Sequence, residues 1–290
     1  MRRALVVVVV SLVASVATAG SSPAAVSASI PIRYRDDVFS AVRKTADITY
    51  GSAVDQNDQT VTLKLDLYTP KGDTVTSRPA IVWVHGGGFS AGDKTSPELV
   101  DEANVFARKG YVNVSINYRL APEGCVGNPG DSCIIGIVQA MQDGQTAVRF
   151  LRARALKYGI DPTRIAIGGS SAGAITALNV GYNAANPGPG DHQRFSSAVR
   201  AVQSLSGAAI LTAPGPGGAA AILFHGTADP LVPYSWAQTT VDDAHAAGLV
   251  ARLVTFVGDG HVPYLQHRAE ILDKTRNFFY RQLDLAHAPS

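Results

Sequence analysis

Gly169-Ser170-Ser171-Ala172-Gly173 stands between two runs of different character. Before it, Arg164-Ile165-Ala166-Ile167-Gly168 is apolar, as a buried strand is. After it, Ala174-Ile175-Thr176-Ala177-Leu178-Asn179-Val180 suits a helix. A glycine two positions to either side of a serine lets strand and helix approach closely across a tight turn. It also lifts the serine hydroxyl clear of the sheet. Register selects Ser171, flanked by Gly169 and Gly173; Ser170 would have Ala172 two positions on. An ordinary glycine-rich turn has the same composition, so the rest of the chain decides between the two readings.

A nucleophilic serine needs a base for its proton, an acid that orients the base, and donors for the oxyanion that develops in acyl transfer. On an open α/β sheet these groups lie beyond the carboxyl ends of strands. Asp229 follows the apolar run 219–224 directly, and His261 follows the run 251–257 directly. The order Ser171, Asp229, His261 is the one this chemistry takes on such a sheet. Rival acids are Asp259, close to His261 in sequence, and Asp143, within a predicted helix. His225 is a rival base but precedes the acid and reads as structural. His192, His245, His267 and His287 fall in expected loops, helices or the tail and read as surface residues. The buried run Pro79–Val84 ends in His85-Gly86-Gly87-Gly88-Phe89, a loop whose backbone amides can turn toward substrate beside the amide of Ala172. His85 is expected to brace that loop.

The 290 residues suit one large domain, and 46% hydrophobic with 17% charged residues suits a globular core. A net charge of +2 points to neither nucleic acid nor an anionic membrane as partner. The arginines of Arg149–Arg154 read as a solvated helix face. Met1-Arg2-Arg3, the apolar run Ala4–Val16 and Ala17-Thr18-Ala19 have the form of a signal peptide over 1–19, with a second possible cleavage site at 26–28. The apolar run falls short of the ~20 residues of a membrane span, so a secreted chain without an anchor is expected. Cys125 and Cys133, in a Gly/Pro-rich loop, are then expected to form a disulfide, worth ~2–3 kcal/mol in the entropic model. With no histidine nearby they make a poor metal site, and neither metal nor cofactor is called for.

Residues 20–40 read as a flexible lead-in and 41–285 as the catalytic domain. Ala46–Tyr50 and Val61–Tyr68 alternate apolar and polar residues, as half-buried strands do, with 51–59 as the hairpin loop. Alternating strands and helices follow. The fold class expected is α/β, a mostly parallel central sheet flanked by helices, with a minimal cap. Loops such as 120–136 and 183–199 are expected to wall the site.

His85-Gly86-Gly87-Gly88, Asn117-Tyr118-Arg119-Leu120-Ala121-Pro122-Glu123 and Gly169–Gly173, with the Asp229 and His261 loops, make residues 45–283 resemble bacterial esterases and lipases of the α/β-hydrolase superfamily. The likeness is nearest the hormone-sensitive-lipase-like and carboxylesterase groups. It implies hydrolysis of carboxylic esters by Ser171, His261 and Asp229, and the thin cap suggests an open site for short-chain acyl or small aromatic esters, small or polymer-linked. It also implies oxyanion amides at Gly87, Gly88 and Ala172. Two departures stand out: Ser170 occupies a position where the hormone-sensitive-lipase-like group usually has Asp, and the short lead-in leaves little material for the long helical N-terminal cap that group often carries. A peptidase of the same fold and a non-catalytic binding module are the alternatives.

Overall fold

The computed structural model describes residues 30–125 and 130–288, with Ala4. Apart from Ala4, the expected signal segment lies outside the described residues, as do the lead-in to residue 29 and the loop tip 126–129. The fold belongs to the unit Pro31–Ser290.

The described residues form one eight-stranded sheet in the order β1-β2-β4-β3-β5-β6-β7-β8. The strands are β1 (Val42–Val54), β2 (Thr60–Pro70), β3 (Arg78–Val84), β4 (Val112–Ile116), β5 (Ile160–Ser170), β6 (Ala201–Leu205), β7 (Ala220–Gly226) and β8 (Ala251–Phe256). β1 and β2 form an antiparallel hairpin, and β2 runs antiparallel to β4. From β4 to β8 every pairing is parallel. The hairpin loop is shorter than the expected 51–59, because β1 continues to Val54. Its turn is closed by the Asp55 carboxylate, which accepts the N–H groups of Asn57 and Gln59 at 2.8 and 2.9 Å.

The helices are α1 (Pro97–Arg108), α2 (Asp131–Ala153), α3 (Ala155–Tyr158), α4 (Ala172–Tyr182), α5 (Tyr234–Ala246) and α6 (Tyr264–Gln282). β3 shows why both faces need cover: all its residues are buried, and successive side chains serve opposite cores. Ala80, Val82 and Val84 join Ile137, Ala147 and Leu178 of α2 and α4. Ile81 and Trp83 join Phe106 and Phe279 of α1 and α6.

Two stretches differ from the reading of their composition. The part of the lead-in after Pro31 docks on the connection between α1 and β4: Tyr34 is buried edge-on against Tyr111, and its N–H donates to Lys109 O at 2.8 Å. Of the three arginines read as a solvated face, Arg154 is exposed, but Arg149 and Arg152 of α2 are not. Arg149 is 0% exposed and donates to Asp191 O, Pro189 O and Pro187 O, while Arg152 donates to Ala198 O and Pro162 O. Both hold the loop 183–199 against the second half of α2. That loop therefore packs on α2 and leads into the start of β6, rather than walling the end of the sheet where Ser171 lies.

Candidate active site

Ser171 joins β5 to α4 with φ 54° and ψ −121°. A residue with a side chain enters this region only when its surroundings force it to, at a cost on the order of 1–3 kcal/mol. The forcing is visible. Ser171 N–H donates to Leu205 O at 2.8 Å, and Ser171 O accepts Ile175 N–H at 3.0 Å, so the residue is bound to β6 on one side and α4 on the other. A Cβ on Gly169 would lie 2.4 Å from Val84 O, and one on Gly173 would lie 1.9 Å from the same oxygen. Both elbow glycines are thus required by the close approach to the end of β3.

Asp229 and His261 arrive from the loops after β7 and β8. His261 Nε2 is 2.7 Å from Ser171 Oγ, and His261 Nδ1 is 2.8 Å from Asp229 Oδ2. A carboxylate only accepts, so Nδ1 carries the hydrogen and Nε2 is free to accept the serine proton. The Asp229 side chain is fully buried. Burial pushes its carboxyl up, but the bonds from His261, Val232 N–H and Leu231 N–H outweigh burial and hold it below the usual carboxylate range. The two amides occupy Oδ1 at 3.0 and 2.9 Å, which leaves Oδ2 for the histidine. The His261 loop is tied in turn: Val262 N–H donates to Ser206 Oγ at 2.9 Å, and Ala228 N–H donates to Asp259 O at 2.9 Å.

The rival groups are engaged elsewhere. Asp143 is buried in a bidentate ion pair with Arg119, whose backbone N–H also donates to it at 2.8 Å. Asp259 pairs with His267 at 2.5 Å, and His267, read from sequence as a surface residue, stacks on Phe256 with ring centres 3.8 Å apart. His225 lies 3.2 Å from Asp229 Oδ2, but its Nε2–H donates to Val232 O at 2.9 Å. Its Nδ1 is buried without a partner, and burial pulls its pKa down, which favours the neutral ring.

The loop after β3 turns through three successive positive φ angles, 112° at Gly87, 60° at Gly88 and 64° at Phe89. Gly87 O accepts Ser90 N–H and Ala91 N–H at 3.1 and 3.0 Å, and a Cβ on Gly87 would sit 2.2 Å from Ala91 O. Gly86 closes on the elbow, where an added Cβ would be 3.2 Å from Ser171 Cβ. His85 is buried and stacks on Tyr118 at 4.3 Å, and Tyr118 OH donates to His85 O at 3.1 Å. The Cys125–Cys133 disulfide is present and adjoins this loop.

Sequence reasoning passed over the polar layer beneath the elbow. Ser170 Oγ donates to Glu98 Oε1 at 2.8 Å, so α1 supplies a carboxylate beside the position where Ser170 replaces Asp. Gln203, buried in β6, accepts Gly169 N–H at 3.1 Å and donates to Glu102 Oε1 at 3.3 Å. The readable signal was a glutamine in the middle of an otherwise buried strand, where a polar side chain needs partners. Among the described residues there is no group of three or more His, Cys, Asp or Glu able to hold a metal.

The mostly parallel sheet, its two helical layers and the strained serine turn define an α/β-hydrolase fold. Solved structures agree. The esterase 2 of Thermogutta terrifontis, phosphoramylated by tabun, superposes with a TM-score of 0.69 at 24% identity, covering 82% of this chain and 94% of that one. The propionate-bound form of the same esterase gives 0.68 at 24% identity over 81% and 93%. Residues 65–216 match the BD-FAE family, and the chain belongs to it. Among curated relatives, the phenmedipham hydrolase of Pseudarthrobacter oxydans is 39% identical over 39% of this chain and 22% of its own length. The chlorogenic acid esterase of Aspergillus niger is 28% identical over 46% and 26%. The matches thus span about a quarter or less of these two relatives' length.

Proposed function

We propose that this protein hydrolyses carboxylic esters through an acyl-enzyme on Ser171. The observation that carries the reading is the continuous hydrogen-bonded line Ser171–His261–Asp229, ending at a serine held in a strained backbone conformation. Ser171 Oγ attacks the ester carbonyl while His261 Nε2 takes its proton. Asp229 keeps the hydrogen on Nδ1 and stabilises the imidazolium that results. The amides of Gly87, Gly88 and Ala172 receive the oxyanion. Collapse expels the alcohol, which takes the proton from His261. Water then repeats the sequence on the acyl group and frees Ser171.

The substrate proposed is a short-chain acyl or small aromatic ester, free or carried on a polymer. Exposed apolar side chains on the loops and helix that follow β6 and β7, Ile210, Leu231 and Trp236, offer the organic part of such an ester a surface. The name of the chlorogenic acid esterase relative supports an aromatic ester among the substrates. Secretion is part of the proposal. The disulfide supports it, and among the described residues no helix is long and apolar enough to cross a membrane.

The test is a series of 4-nitrophenyl esters of increasing acyl length, with a feruloyl ester and a peptide amide beside them. Wild type should cleave the short and aromatic esters and spare the amide. Ser171→Ala should lose on the order of 10⁵–10⁶ in kcat with an unchanged circular-dichroism spectrum. Wild-type turnover in that variant would remove Ser171 from the mechanism.

A further inference from the structure

The glycines of the loop after β3 pose a physical problem. Gly88 at φ 60° has other backbone basins of similar energy, so its own chemistry does not keep its amide aimed in one direction. A turn within the loop and a bond from outside it share that task. The peptide before Gly88 is fixed from within the loop, because Gly87 O accepts both Ser90 N–H and Ala91 N–H. The peptide after Gly88 is fixed by another segment: Cys125 N–H donates to Gly88 O at 2.9 Å. Four residues earlier in that segment, Ala121 N–H donates to Phe89 O at 2.7 Å. Gly124, at φ 64°, packs so closely here that an added Cβ would lie 2.5 Å from Ser90 Oγ and 2.7 Å from Gly88 O.

The segment 119–125 is anchored at both ends. At its start, Arg119 is locked to Asp143 of α2 by the buried ion pair. At its end, Cys125 is bonded to Cys133, a buried residue of the same helix. Between these anchors the chain is irregular, and the donor that holds Gly88 belongs to the bridged cysteine itself.

We propose that the Cys125–Cys133 disulfide is a positioning device for the oxyanion site. Through the backbone N–H of Cys125 it pins the Gly88–Phe89 peptide, which keeps Gly88 at its positive φ and so keeps closed the turn in which Gly87 O accepts Ser90 and Ala91 N–H, the turn that aims the Gly88 amide at the carbonyl under attack. The inference rests on the ester-hydrolase reading above and adds a role for two residues that touch neither substrate nor the reacting atoms. Breaking the bridge frees the end of the segment and lets Gly88 fall into its other conformations. The Ser171–His261–Asp229 line, held by the loops after β7 and β8, stays in place. The loss therefore falls on transition-state stabilisation and not on ground-state binding.

The test is reduction of the folded protein by a phosphine, which supplies two electrons and leaves as its oxide. Two thiols are titrated, and steady-state kinetics on 4-nitrophenyl acetate are measured before and after. Expected is a fall in kcat on the order of 10- to 100-fold, less than the ~10²–10³ of a deleted donor, with KM changed by less than about twofold. An organophosphonate should label Ser171 to the same end point but more slowly, and reoxidation should restore kcat. The double variant Cys125→Ser, Cys133→Ser should match the reduced protein and ignore the phosphine. If two thiols appear and kcat does not move, the inference is wrong. It is equally wrong if the loss of kcat equals the loss of labelled protein, since the bridge would then only keep the chain folded. No turnover by the oxidised protein would overturn the hydrolase reading together with it.

Discussion

On one side of Ser171 the loops after β7 and β8 are locked by side chains. Asp229 uses one oxygen for two loop amides and the other for His261, and Ser206 holds the amide next to that histidine. On the other side the loop after β3 is locked by main chain: positive-φ residues, carbonyls taken by its own amides, and two bonds from the segment that ends at Cys125. The first arrangement fixes a protonation state as well as a position. The second fixes a direction only. The two sides should therefore fail differently, in size and in kind.

The largest loss after that of Ser171 itself is expected at Asp229→Asn. The side-chain oxygen would remain with Leu231 and Val232 N–H, so the new amide nitrogen would face His261. A donor there forces the hydrogen onto Nε2, which can then no longer accept from Ser171. A fall in kcat on the order of 10⁴ is expected from the wrong tautomer alone. The substitution also removes a carboxyl held below its ordinary range. The stability which that carboxyl contributes is present above the unfolded aspartate value of about 3.9 and is lost as pH falls through the lower folded value. Wild type and variant should thus converge in stability under strong acid, read by thermal melts across pH. Fully retained kcat would mean that Asp229 sets no tautomer.

Gly87→Ala probes the other side. At φ 112°, with a Cβ 2.2 Å from Ala91 O, alanine cannot keep the loop as it is. A fall in kcat on the order of 10²–10³ is expected, the scale of one lost oxyanion donor, with the pH profile unchanged because His261 keeps its partners. A shifted profile would show that the two sides are coupled.

That contrast also marks what could be read in the sequence. Ser171, Asp229 and His261 each follow an apolar strand directly, and the elbow glycines are demanded by contact with one carbonyl, so residue type carried their placement. The mostly parallel sheet and both helical layers followed from alternation and length, whereas the strand order came only with the structure. Besides the side-chain layer beneath the elbow, what escaped were contacts made in irregular chain, several of them bonds to backbone carbonyls. Nothing in the type of Arg149 separates a solvated arginine from one buried under Pro187, Pro189 and Asp191. Nothing in Cys125 shows that its amide reaches Gly88, and the docking of Tyr34 against Tyr111 depends on two segments far apart in sequence. At least one partner in the Arg149 and Cys125 links is a peptide group, which every residue has.

Arg149→Met tests whether the misread helix face matters to chemistry. It would leave three loop carbonyls without their buried donor, a loss on the order of 2–4 kcal/mol in stability by denaturant unfolding. Because the loop 183–199 lies against α2 and not over Ser171, kcat of the folded fraction should be unchanged. A matching loss of kcat would return that loop to the wall of the site.

The smallest effect, and the finest test of what lies under the elbow, belongs to Glu102. The carboxyl is buried, and that burial, with Glu98 and Asp101 on the same helix, pushes its pKa well up. From α6, Tyr264 donates its hydroxyl to Asp101 at 2.7 Å, and Arg268 pairs with Asp101 but not with Glu102. The folded protein therefore holds a proton that the unfolded chain releases above a pH of about 4.3. Over that range the native state binds more protons than the unfolded one, so stability falls as pH rises toward the folded value. Glu102→Gln keeps an oxygen for Gln203 Nε2 to donate to and removes the titration. Its melting temperature should change less than that of wild type between about pH 5 and 8, with the two curves closest at the acid end. Parallel curves would mean that Glu102 is ionised in the fold. Gln203, and through it the amide of Gly169, would then be held by a charge instead of a neutral acid.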